Sequence, residues 1–202
     1  MTTVYLEVGK RRSFACATEW PGWERSGRDP DTALQTFRAY HDRYAAALSE
    51  SGLSVPTPDQ IDVIEELAGN ASTDFGVPGA ISDSDRRSPD TAARDRLTSI
   101  VGSAWTALDR AAARAGQPLT KGPRGGGREL EAVVDHVLEA EGAYARKVGL
   151  RLPSGHAMDE RRRAIMDRLN GPESEPWPLR YFARRLAWHA LDHAWEIEDR
   201  SS

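Results

Sequence analysis

LRYFARRLAWHALDHAWEIEDR, residues 179–200, reads as a helix with apolar or aromatic side chains on more than one side. Trp177 and Pro178 open it, and proline suits the start of a helix, where its missing N–H costs no intrahelical bond. Phe182, Leu186, His189, His193 and Glu196 fall three or four residues apart and share one stripe. That stripe begins apolar and ends polar, like the mouth of a pocket inside a helical bundle. Trp188 and Trp195 lie seven apart on a face rotated well away from it, with Leu191 between. A helix in a bundle ordinarily buries one stripe, so this helix must be covered on more than one side. The amino-terminal part of the chain or a second subunit can supply the cover. A homodimer is the expectation, because two-fold dimers are the commonest assembly for spare apolar surface.

Moving upstream, three more segments carry helical periodicity. Residues 90–115 place Leu97, Ile100, Val101, Ala104, Trp105 and Leu108 on one face, 128–148 do so with Leu130, Val133, Val134, Val137 and Leu138, and 158–169 form a shorter element. Gly116, Gly149 and Gly171 stand just past their ends, where helices favour glycine. Four helices with short connections predict an antiparallel bundle over residues 90–202.

Before residue 90 the composition changes. Thr3–Val8 alternates, Gly9–Arg12 reads as a hairpin turn into Ser13–Thr18, and Glu24–Gly27 is a short third strand after the turn Trp20-Pro21-Gly22-Trp23. Asp29 and Pro30 fit the N-cap and first position of a helix. Ala33, Leu34, Phe37, Tyr40, Tyr44 and Leu48 carry that helix on one face to about Ser49. Ile61–Leu67 is a strand or a short helix, and periodicity does not decide between them. Gly69–Pro89 is rich in Gly, Pro, Ser and Asp and reads as a linker or a lid loop. The expected fold is therefore α+β: a small sheet-plus-helix domain over 1–68, the linker 69–89, and a four-helix bundle over 90–202. Residues 1–60 are expected to be removable without unfolding the bundle.

The charge balance excludes some functions. Lys and Arg number 27 against 31 Asp and Glu, a net charge of −4, which argues against a dedicated nucleic-acid or membrane-surface binder. No stretch approaches the roughly 18 apolar residues of a spanning helix. The opening MTTVYLEVGKRRSF carries its charge after its apolar run, the reverse of a secretion signal. A single cysteine, Cys16, excludes an internal disulfide and a cysteine-cluster metal site. In an alternating strand beside Phe14, it reads as a packed, inert thiol. A cytoplasmic protein is expected, with neither nucleic acid nor membrane as partner.

The chain has five histidines. His189 and His193, four apart in HALDH, put two imidazoles on one face, the spacing that chelates a metal ion. His136, in VVDHVLEAE, projects among Ala132, Val133, Ala140 and Ala143, and small neighbours leave room for a partner. Three neutral imidazoles from two helices would leave a metal with an open position for water or substrate. Zinc and nickel both suit imidazole. The alternative is paired core or surface histidines satisfied by acids or water. Asp135, Glu139, Glu141, Asp192 and Glu196 can support the imidazoles. Glu196 is also the candidate catalytic group, or else a solvated charge at a helix end. His41 and His156 read as exposed. In KGPRGGGR, residues 121–128, Arg124 and Arg128 flank three glycines before a helix and can hold an anionic cofactor group, unless the stretch is only a flexible connector. Arg180, Arg184 and Arg185 fall near the start of the last helix; Arg180 and Arg184 share a face that could meet acidic partners, with a solvated face as the default.

VVDHVLEAEGAY at 133–144, together with WHALDHAWE at 188–196, resembles the DinB-like family of metal-binding four-helix bundles. That family includes bacillithiol transferases and a mycothiol-dependent maleylpyruvate isomerase. The resemblance covers roughly residues 90–200 and implies that His136, His189 and His193 bind a divalent metal. It further implies a thiol transferase, with a low-molecular-weight thiol and a small-molecule substrate. Activity transfers less readily than fold. The amino-terminal segment resembles the HicB-like domain through two strands, the turn Glu19-Trp20-Pro21-Gly22, and Asp31 with Ala33-Leu34 opening a helix. Nothing resembles the DNA-binding domain that accompanies it in antitoxins, so a structural or partner-facing role is implied. The rival reading is a non-catalytic scaffold whose metal is structural or vestigial.

Overall fold

The computed structural model describes residues 1–116, 118–121, 129–152 and 158–201. Among these the chain forms four strands, β1 (Thr2–Val8), β2 (Ser13–Ala17), β3 (Glu24–Gly27) and β4 (Ile61–Ala68). Eight helices accompany them: α1 (Pro30–Ala39), α2 (His41–Ala47), α3 (Ala71–Phe75), α4 (Asp83–Arg86), α5 (Thr91–Arg114), α6 (Leu130–Lys147), α7 (Met158–Leu169) and α8 (Leu179–Arg200). The fold is mixed α+β, as expected. None of the helices is long and apolar enough to cross a membrane.

The sheet runs β3-β2-β1-β4, antiparallel except that β4 lies parallel to β1. Gly9 closes the first hairpin by donating to the Arg12 carbonyl at 2.9 Å. The segment 61–68, open between strand and helix in the sequence, is an edge strand. Only β1 pairs with it and both Val63 and Ile64 are exposed, so the alternation of a half-buried strand never appears in its sequence.

Asp29 caps α1 through a reciprocal bond with Thr32, with Pro30 in the first turn. The single helix expected to Ser49 is instead two. It breaks at Tyr40, whose ring packs edge-on against Trp195 at 5.2 Å. Trp23 stacks on Phe37 at 4.3 Å and on Tyr44 at 5.4 Å, and its indole N–H donates to the Phe37 carbonyl. Gly22, with φ +90°, lets the preceding turn approach α8 closely: a Cβ there would lie 2.8 Å from Leu191.

The expected linker or lid over 69–89 contains α3 and α4. Its polar residues are caps rather than flexible filler. Asn70 and Thr73 form one reciprocal capping box, Ser82 and Asp85 another. Thr73, Ser82, Ser84 and Asp85 are buried, and α4 packs against α8.

In the carboxy-terminal half α8 packs on α5 and α6, and α5 also on α7. One apolar core runs without interruption from Val4, Trp23 and Phe37 through Leu97, Ile100 and Val133 to Leu186, Leu191 and Trp195. Trp188 is covered by Phe14 of β2, edge-on at 6.4 Å. The apolar faces of α8 that suggested a dimer are thus buried within one chain, by the sheet, the Trp20–Trp23 turn and Tyr40.

Candidate metal centre

α6 presents His136, and α8 presents His189 and His193, to a common point. The ring centres are 5.0 Å (136–189), 5.2 Å (136–193) and 4.6 Å (189–193) apart, each pair edge-to-face. One ring nitrogen from each lies within 4.8 Å of the others. The Nε2 atoms of His189 and His193 are 3.2 Å apart. A tetrahedral ion with nitrogens at about 2.0–2.1 Å separates two of them by roughly 3.3 Å. The pair therefore fits a metal span without rearrangement. His189 and His193 are buried and His136 is half-buried.

Glu196 sets the orientation of His193. Nδ1–H of His193 donates to Glu196 Oε2 at 2.8 Å, which leaves the Nε2 lone pair facing His189. Arg200 donates to the other carboxylate oxygen at 2.9 Å and is itself fixed by the Thr120 carbonyl. The His193 hydrogen bond, with Arg200 beside it, holds the Glu196 carboxyl below the usual carboxylate range. Both its oxygens are engaged, so Glu196 reaches the centre through His193.

The other acids considered as supports go elsewhere. Asp192 pairs with Arg25 at 3.1 Å, while Asp135 and Glu139 are exposed. Glu141 is buried and accepts from the Trp105 indole, and burial raises its carboxyl to about 7. Arg124, Arg128 and His156 lie outside the described residues.

The sequence misplaced part of the α8 arginine face. Arg180 is half-buried, hydrogen-bonding the Arg87 carbonyl and Glu19. Arg184 and Arg185 are 2% and 5% exposed. Arg184 pairs with Asp85 at 2.7 Å and lies 3.6 Å from Glu24, whose carboxyl burial pushes up to about 7 against the pull of Arg184. Arg185 bonds the Tyr144 hydroxyl, and the Tyr144 ring stands 5.9 Å from His189. Tyr144 had a signal: it follows His136 by eight residues, about two helical turns, on the same side of α6. Cys16 is fully buried and burial raises its thiol pKa, consistent with an inert side chain.

No family model, curated protein or solved structure matches the chain.

Proposed function

We propose that His136, His189 and His193 hold one divalent cation, zinc or nickel, and that the protein is a metal-dependent enzyme acting on a small molecule. The observation that carries the reading is the convergence of three imidazoles from two helices, with two Nε2 atoms 3.2 Å apart. A cation held by three protein ligands keeps a position open and supplies Lewis acidity there, activating a bound thiol or water or polarising a carbonyl. The chain's own residues do the rest. Glu196 fixes the tautomer and ring plane of His193, and Arg200 keeps Glu196 ionised and in place. Tyr144 borders His189, its ring 5.9 Å away.

We read residues 90–201 as a DinB-like bundle and the amino-terminal unit as HicB-like, serving to cover α8. Support for the second comes from its element order, three antiparallel strands, two short helices, then a parallel edge strand. Thiol transfer is the reaction this resemblance favours, with a low-molecular-weight thiol as co-substrate.

Elemental analysis of protein purified without a histidine tag tests the centre. About one divalent metal per chain is expected, lost in His193→Ala. Stoichiometric metal in the triple alanine variant at 136, 189 and 193 would overturn it. Thiol consumption in the presence of small electrophiles then tests the reaction. Turnover that needs the metal supports the enzyme, and a metal-loaded protein inert across such a screen favours the scaffold.

A further inference from the structure

Among the described residues four arginines are buried, at 25, 184, 185 and 200. Three have a carboxylate: Arg25 takes Asp192 at 3.1 Å, Arg184 takes Asp85 at 2.7 Å, and Arg200 takes Glu196 at 2.9 Å. Arg185 has none among the described residues. Its two terminal nitrogens donate to neutral acceptors, the Pro78 carbonyl at 2.7 Å and the Tyr144 hydroxyl at 2.9 Å. Its faces are covered by the Tyr144 ring at 5.1 Å and the Trp188 ring at 4.9 Å. What remains is an edge: Nε–H is buried without a partner, and so is the indole N–H of neighbouring Trp188.

No nearby acid hydrogen-bonds Arg185 among the described residues. Glu7 accepts from the Thr73 hydroxyl and from the backbone N–H groups of Gly79 and Ala80, and Glu24 lies 3.6 Å from Arg184 and feels the Arg185 charge only through space. A buried guanidinium N–H without an acceptor, on a cation whose hydrogen bonds all go to neutral groups, calls for an anion, and the Trp188 indole N–H is a second unfilled donor three residues along α8.

Position says which molecule would carry that group. Arg185 precedes His189 by one helical turn on α8, a rise of roughly 6 Å. The rings of both Tyr144 and Trp188 stand 5.9 Å from the His189 ring. We propose that Arg185, with Tyr144 and Trp188, forms a subsite for the acid group of the molecule bound at the three-histidine centre. That molecule is accordingly a small carboxylate with a second, metal-binding group a few bonds away. The inference rests on the metal reading above for the second group, and on Arg185 alone for the acid.

Succinate is the probe, with uncharged succinamide as its control, titrated calorimetrically into zinc-loaded protein of measured zinc content. Saturable binding of succinate and none of succinamide is expected. Arg185→Gln should weaken succinate at least tenfold at unchanged zinc content, and Arg185→Lys should recover only part, because lysine lacks the fork. No succinate binding by the wild type, equal binding of both probes, or unchanged affinity in Arg185→Gln would overturn the subsite. If Arg185→Gln does not fold, Trp188→Phe decides: succinate binding at least threefold weaker supports the subsite, and unchanged affinity overturns it. If the protein takes up no zinc, the metal reading fails instead. The same titrations on metal-free protein then judge Arg185 by the same outcomes.

Discussion

Glu196 and Glu141 are both carboxylates on long helices, and their surroundings drive them in opposite directions. Glu196 gains a hydrogen bond from His193 and stays ionised, whereas Glu141 is buried against Trp105 with one oxygen lacking a hydrogen-bond partner. Replacing the group that fixes a ligating imidazole typically costs 10- to 100-fold in metal affinity. Glu196→Gln should therefore weaken zinc binding by about that factor in a chelator competition, with the helical signal unchanged. Glu141 behaves as an acid whose pKa is raised by folding, from 4.5 to about 7. Its contribution to stability is fully present below pH 4.5 and is lost as pH rises through 7, where ionisation must occur in a buried site. Glu141→Gln keeps an oxygen for the Trp105 indole and removes the charge. Urea unfolding should find this variant more stable than wild type at pH 8, by about 1–3 kcal/mol, and not at pH 5. A variant equally destabilised at both pH values would show that the side chain is not ionised there. The histidines were legible because their spacing is local to one helix and their setting among small residues is local to another. The burial of Glu141 was not, because it depends on Trp105, 36 residues earlier.

Between elements, the segment 69–89 shows how far composition misleads. Its glycines, serines and aspartates have the make-up of a linker, yet Asn70 with Thr73 and Ser82 with Asp85 each stand three apart as capping boxes do. The spacing was in the sequence; the two short helices it starts lack the length to show an apolar period. Arg184 was undecided in the sequence for a related reason. Whether an arginine on α8 is solvated depends on Asp85, 99 residues away, which no pattern within the helix reveals. Removing one member of a buried ion pair leaves the other charge uncompensated and commonly costs about 3–5 kcal/mol. Asp85→Asn should lose on that order in urea unfolding. Arg43→Ala, which breaks exposed pairs with Glu198 and Asp199, should lose about 1 kcal/mol or less. Equal losses in the two variants would mean that α4 is not a structural support of α8.

Across the whole molecule, the α+β class and the helix count downstream of residue 90 were legible from the change in periodicity. The coupling between the halves was not, because it is made of contacts between them. Trp188 rests on Phe14, Leu191 on the turn at Gly22, and Trp195 on Tyr40. The expectation of a detachable amino-terminal unit must be weighed against that cover. A fragment of residues 90–202 would expose all three side chains, each of which forfeits about 1.5–3 kcal/mol when returned to water. The sum is comparable to the whole stability of an ordinary domain, about 5–15 kcal/mol. It would also strip Glu24 from the Arg184 cluster. We therefore expect the fragment to keep helical circular dichroism but to bind hydrophobic dyes, self-associate and melt without a cooperative transition. The full chain should unfold once, with tryptophan fluorescence and circular dichroism changing together. A fragment that unfolds as sharply as the full chain, or a full chain with two separate transitions, would mean that the sheet merely rests on α8. The three-histidine cluster would then have to be held by residues 90–201 alone.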